Sequence, residues 1–225
     1  DRLVRAAIPL PRVLLAFVGV FAIALLSNLL TPDMSSLIIG VAFLYTPFFV
    51  LGRRDDPFRR YGLGVERATT GLAVFAVTSL VIFPIFVLGF HAFYGIAFDI
   101  TWRWEWSQFA AEEGWWWTFV LWQLVMVALT EEFFFRGFVQ VELDARFPRR
   151  WRVLGADVGF GVVLASLLFA LGHLATSFHA ARLLVFFPSL VMGWLRARTG
   201  SLLAPILFHA TANLAMEIML RVHRT

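Results

Sequence analysis

Six polar side chains stand in stretches otherwise too apolar to hold them. Glu131, Glu132 and Arg136 occur in Thr-Glu-Glu-Phe-Phe-Phe-Arg, His173 ends Phe-Ala-Leu-Gly-His, and His209 and Asn213 bracket His-Ala-Thr-Ala-Asn. Holding an ionisable side chain in the middle of a bilayer costs about 2.5–3.5 kcal/mol on insertion scales, so such residues mark a site by default. Their spacing has helical logic. Glu132 and Arg136 are i,i+4 with the acid first, an orientation that pairs along one face. Glu131 then points about 100° away, without that partner. A carboxylate out of water with no cation beside it is the kind of group that serves as a general base near neutral pH. Phe169 with His173 and His209 with Asn213 repeat the same i,i+4 spacing. Together they put one unpaired acid, two imidazoles and an amide into three apolar helices.

Each residue alone has a plainer role. Glu132 and Arg136 make a structural pair that orients Glu131, Phe169 packs, and a single buried histidine is more often a satisfied hydrogen-bonding group than a catalyst. The combination is harder to explain as structure, because apolar residues would fill three membrane helices without the insertion cost. The low-energy arrangement turns all three polar stripes toward one interior cavity.

The elements that must position these residues follow from composition. The chain has 225 residues, 60% of them hydrophobic and 15% charged, with a mean hydropathy of +0.79. Soluble domains carry roughly 25% charged residues. A chain this poor in charge meets lipid over most of its outside, so it is an integral membrane protein. Uncharged stretches of about twenty residues cross the hydrocarbon core as helices. Such runs cover Val13 to Leu30, Met34 to Gly52 and Ala68 to Phe98. A fourth begins at Trp115 and continues toward Asp144, followed by Val158 to Ala181, Leu183 to Leu195 and Thr199 to Met216. The fold expected is an all-α polytopic transmembrane helix bundle of about seven spans in a single domain, residues 1–225.

Between the spans, Arg53 to Arg67 and Arg146 to Arg152 read as charged loops, and Gly155-xxx-Gly159 as a close helix contact. Trp102, Trp104, Trp106 and Trp115 to Trp117 read as an interfacial belt or a short surface helix. His91, His179 and His223 fall near expected helix ends and read as solvated or interfacial. All nineteen basic residues are arginine, and placing the N-terminus in the cytoplasm puts fourteen of them in cytoplasmic segments against four outside. That bias gives the orientation. Counting about 1.5 Å per residue puts His173 about 22 Å along its span and His209 about 15 Å along its own, which suggests a site near the membrane middle opening to the outer side.

Several function classes are excluded. A net charge of +4 spread over loops is no nucleic-acid footprint, and with no cysteine there is no disulfide, thiol nucleophile or thiolate metal site. No serine nucleophile motif, His-Glu-x-x-His zinc helix, Gly-x-Gly-Asp motif or glycine-rich phosphate loop is present.

Glu-Glu-x-x-x-Arg, Phe-x-x-x-His and His-x-x-x-Asn, in that order and in separate apolar helices, resemble the CPBP family of type II CAAX prenyl proteases and bacteriocin-processing or bacteriocin-immunity (Abi) membrane proteins. The stretch from Met192-Gly193-Trp194-Leu195 to Ala204-Pro205 also looks like the family's approach to its last histidine. The likeness makes 115–216 the catalytic core and implies an intramembrane endopeptidase of glutamic type. On this likeness Glu131 with His173 would activate water, and His209 with Asn213 would stabilise the oxyanion. Glu132, Arg136 and Phe169 would hold the geometry. No metal or other cofactor is expected in this form; the alternative is zinc on Glu131, Glu132, His173 and His209. The implied partners are membrane lipid and a membrane-anchored or exported peptide or protein, in the bacterial inner membrane. Eukaryotic relatives cut after a prenylated cysteine, whereas bacterial ones are associated with peptide maturation, bacteriocin immunity or removal of sorting anchors. A non-catalytic peptide-binding or immunity protein would use the same cavity.

Overall fold

The computed structural model describes residues 7–52, 56–98 and 115–222. The tryptophans of 102–106 and His223 lie outside those residues. Six helices are long and apolar enough to cross a membrane, and the chain is an all-α integral membrane protein. Helices α1 (Leu10–Leu30) and α2 (Ser35–Leu51) form a hairpin through a short 3-10 turn, Pro32–Met34. A short helix, α3 (Pro57–Tyr61), interrupts the segment read as a charged loop. Its ends explain it: Asp56 accepts from the Phe58 N–H, Pro57 opens the first turn, and Gly62 closes it at φ 87°. Helix α4 (Ala68–Phe98) follows with the expected bounds. Its large apolar side chains, such as Leu80, Ile85 and Leu88, are exposed, as befits a helix facing lipid.

Helix α5 spans residues 115–146 and forms the centre. Two stretches of π-helix, Gln123–Ala128 and Phe133–Val139, flank the single α-helical turn Leu129–Glu132 that carries both glutamates. Phe133, Phe134, Phe135 and Phe138 are all buried. Three consecutive buried positions mean that the helix is packed on all sides. Phe43 of α2 packs tilted against Phe134 and Phe135 at 5.1 and 5.5 Å, and Tyr61 of α3 edge-on against Phe138 at 5.7 Å.

The sequence gives no warning of the next element. Strands β1 (Arg150–Val153) and β2 (Ala156–Gly159) pair antiparallel, with Arg150 opposite Gly159 and Val153 opposite Ala156. Leu154 and Gly155, at φ 45° and 79°, make the two-residue turn, whose positive angles match the twist of a hairpin. The Gly155-xxx-Gly159 spacing therefore serves this hairpin and not helix packing. Helix α6 (Phe160–Ser177) begins two residues later than expected because Val158 and Gly159 are in β2. Its apolar stretch Phe160–Thr176 is shorter than the six candidate spans and stands outside them. A 3-10 segment, Ala180–Val185, leads into α7 (Phe186–Thr199), and α8 (Leu203–Val222) ends the description. Helix α8 starts after Thr199 because Gly200, at φ 70°, terminates α7. It continues past Glu217 because Glu217 pairs with Arg221 at 2.7 Å. His91, expected in a solvated or interfacial place, is buried in α4 rather than solvated, whereas His179 is exposed.

One buried carboxylate ties the arginine-bearing face together. Glu142 accepts from Arg60 Nη2 and Nε at 2.8 and 2.9 Å, from the Tyr61 hydroxyl at 3.1 Å and from the Ile8 N–H at 2.8 Å. Burial, followed by the charge of Glu142, pushes the Tyr61 phenol well above its ordinary range and keeps it a donor. Glu142→Gln retains the volume but loses charge-assisted bonds worth roughly 1.5–3 kcal/mol each before relaxation. A loss of about 2 kcal/mol is expected, read as the denaturant midpoint in detergent; an unchanged midpoint would show that the chain segments at Ile8 and Arg60 are held some other way.

Candidate active site

Three elements deliver the polar stripes to one place. Glu132 on α5 is fully buried, and its Oε1 accepts from Arg136 Nη1 at 3.0 Å and from His209 Nδ1 of α8 at 2.7 Å. Because a carboxylate can only accept here, His209 carries its proton on Nδ1, and Nε2 is left for chemistry. His209 Nε2 faces Glu131 Oε2 at 3.9 Å. That carboxylate oxygen is buried and has no hydrogen-bond partner. Each of the adjacent glutamates has a buried Oε2 without a hydrogen-bond partner, but Glu132 is locked through Oε1 by a guanidinium and an imidazole, whereas Glu131 meets His209 Nε2 only at 3.9 Å.

Arg136 is itself held from two further sides. Its Nη2 donates to Ser189 Oγ of α7 at 2.7 Å, and its guanidinium lies 4.5 Å from the centre of the Phe169 ring. One helical step on, Gln140 donates to the Gly193 carbonyl at 3.1 Å. Arg136 to Ser189 and Gln140 to Gly193 advance together, so α5 and α7 run parallel in register. Gly193 permits the approach, since a Cβ there would meet Gln140 Oε1 of α5 at 3.1 Å and Val162 Cγ1 of α6 at 2.7 Å.

Phe169 of α6 packs edge-on against Phe135 at 4.9 Å and lies between the two imidazoles, 4.4 Å from His173 and 6.0 Å from His209. His173 Nδ1 is 3.0 Å from the Phe169 carbonyl, which can only accept, so Nε2 is the basic nitrogen of the neutral ring. Asn213 does not touch His209 or either glutamate through a recorded bond; its amide donates to Gln123 Oε1 of α5 at 2.7 Å. Sequence reading overlooked Gln123, Ser189 and Gln140, although a polar residue within an apolar span was the signal available for each.

The structure also resolves the mismatch in depth. His209 is six residues into α8, about 9 Å from its start, whereas His173 is thirteen residues into α6, about 20 Å. Phe169 nevertheless packs against both rings, so the start of α6, at the hairpin of β1 and β2, lies further from the level of the site than the start of α8. The distances along α8 and α6 bring the site no closer to the outer side.

Zinc is the alternative occupant of this cluster. Glu131, Glu132 and His209 meet, but Oε1 of Glu132 is shared by Arg136 and His209 Nδ1, and the guanidinium would oppose a second cation. Among the described residues no three His, Asp or Glu side chains are arranged to hold a metal ion.

With this geometry established, comparison with known proteins adds one match. Residues 113–215 match the family described as type II CAAX prenyl endopeptidase, Rce1-like. No curated protein and no solved structure matches the chain.

Proposed function

From the match of residues 113–215 to the Rce1-like peptidase family, we propose that the chain is a glutamic-type intramembrane endopeptidase that hydrolyses a peptide bond of a membrane-associated substrate without a metal. One observation carries this reading: the buried, unpartnered Glu131 Oε2 faces His209 Nε2, while Glu132 and Arg136 fix that ring from behind. The 3.9 Å between carboxylate and imidazole is too long for a direct hydrogen bond and fits groups that share a third partner.

The charges balance in a way that suits the reaction. Arg136 offsets Glu132, which leaves Glu131 as the one acid whose charge a proton on His209 can offset. Glu131, aided by His173 Nε2, takes a proton from the attacking water as its oxygen bonds to the scissile carbonyl. The carbonyl electron pair moves to oxygen, where His209 Nε2–H and the Asn213 amide, released from Gln123, stabilise it. Collapse of the intermediate breaks the C–N bond, and the proton held by the carboxyl passes to the leaving amine. Phe169 keeps both imidazoles at one level. The orientation is N-terminus inside, in a bacterial inner membrane, with substrate entering from the lipid.

The experiment uses proteoliposomes holding the full chain and an anchored reporter peptide, with prenylated and unprenylated versions. Wild type should generate a new C-terminus in the presence of chelator, and His209→Ala should reduce the rate by about 10²–10³-fold. Loss of cleavage on chelation with zinc-specific rescue contradicts the metal-free mechanism. A peptide-binding protein without catalysis would retain reporter binding and cleave nothing.

A further inference from the structure

Far along α7 from Ser189, where α7 turns into α8, two guanidinium groups lie beside a cavity of about 440 Å3. Arg59, Glu66, Arg67, Gly62 and Gly200 contribute to its lining. It lies between the α3–α4 connection and the α7–α8 turn, joined by the Leu202 N–H donating to the Gly62 carbonyl at 2.9 Å. Arg67 donates to the Thr199 carbonyl at 3.2 Å and lies against Gly200. Behind the other wall, Arg196 presses on Gly62, where a Cβ would meet its Nη2 at 2.9 Å. Both glycines have positive φ, so the turns that bring the arginines together depend on them.

Few of the charges here are paired directly, although Asp144 acts on Arg196 from beyond ion-pair distance. Arg196 Nε is buried without a hydrogen-bond partner, and among the described residues neither Arg196 nor Arg67 has a carboxylate within ion-pair distance. Arg59 reaches only the exposed Asp56, at 3.8 Å. Glu66, the acid in the lining, folds its carboxylate against Gly64. Arg59 and Arg67 open to solvent while Arg196 lies half-buried behind them, and like charges brought together attract a counter-ion. Guanidinium forks match the oxygens of a phosphate group, and basic pockets at the ends of membrane helices hold phospholipid headgroups by this chemistry. The cavity is also of a size that takes a small ligand.

We infer that this cavity is a phosphate-group site, in which Arg67 and Arg59 contact the anion and Arg196 supplies positive charge from behind Gly62. It is separate from the glutamate–histidine cluster and uses none of its residues. The α4, α7 and α8 ends that frame it lie at headgroup level, so the phosphate is that of an anionic phospholipid or a free phosphate ion.

The test uses the full chain in a zwitterionic detergent, titrated with inorganic phosphate in one arm and with mixed micelles containing phosphatidylglycerol in the other; phosphatidylcholine micelles are the reference. The readout is the unfolding midpoint. A saturable rise with phosphatidylglycerol alone identifies the headgroup as the source, and a rise with phosphate as well identifies the free ion as sufficient; either supports the site. Arg67→Gln should weaken the apparent affinity about tenfold. Because that variant also loses the bond to Thr199, Arg59→Gln provides a second reading that leaves the fold intact, with an expected weakening of about threefold. Absence of saturable protection in both arms, or titrations of Arg59→Gln and folded Arg67→Gln that overlay wild type, overturns the inference.

Discussion

Glu131→Gln should lower peptide hydrolysis by about 10²–10⁴-fold, the range associated with a positioned general base. Glutamine keeps the volume and planar shape of the side chain but cannot accept a proton at neutral pH. The structure predicts that little else changes. Among the described residues the recorded ion pair of Glu131 is the long one to His209 Nε2 at 3.9 Å, and its Oε2 has no hydrogen-bond partner to lose. The unfolding midpoint should therefore stay close to wild type while turnover collapses. Binding of an anchored substrate should also survive, because removing an interaction made in the transition state reduces turnover without weakening ground-state binding. A Glu131→Gln protein that cleaves at the wild-type rate would remove Glu131 from the mechanism.

Arg136→Ala should have the largest effect on stability, about 3–5 kcal/mol, the cost of removing one partner from a buried ion pair. Arg136 is 1% exposed and Glu132 is fully buried, so water cannot replace the lost cation. The substitution also strands Ser189 Oγ and strips the face of Phe169. Activity should fall with it, because Glu132 without Arg136 no longer fixes His209 through Nδ1. Arg136→Lys separates the two effects: the charge survives, whereas the fork that joins Glu132 to Ser189 does not. Partial recovery of stability with poor recovery of turnover is expected, measured by denaturant unfolding and reporter cleavage side by side. Equal midpoints for wild type and Arg136→Ala would contradict the pairing.

The two effects reflect how differently sequence exposes different kinds of information. The ion pair was legible because i,i+4 spacing on one helix is local. The membrane spans were legible because length and hydropathy are local as well. Helix α3 carried its own signals in Asp56, Pro57 and Gly62, which went unread inside an abundance of arginines. The β hairpin was obscured because Arg150 to Gly159 alternates no apolar face; it is fixed by Arg152 pairing with Asp157 at 2.9 Å and by Trp194 donating to the Val153 carbonyl at 2.9 Å. The π-helical stretches around Glu131 and Glu132 could not be read at all, since they depend on what α2, α7 and α8 press against α5. For the same reason sequence assigned His209 to the oxyanion alone, while the structure shows its other nitrogen anchored on Glu132. Ser189 and Gln123 required knowledge of which helices meet.

The central claim is that a water activated at Glu131 cuts the peptide bond. The direct measurement is cleavage of an anchored reporter by the reconstituted full chain in heavy-oxygen water, with chelator present, followed by mass spectrometry of both products. The account predicts a single heavy oxygen in the new terminal carboxyl from wild type and no such product from Glu131→Gln. No new carboxyl terminus from wild type, or equal incorporation with the Glu131→Gln protein, would contradict it.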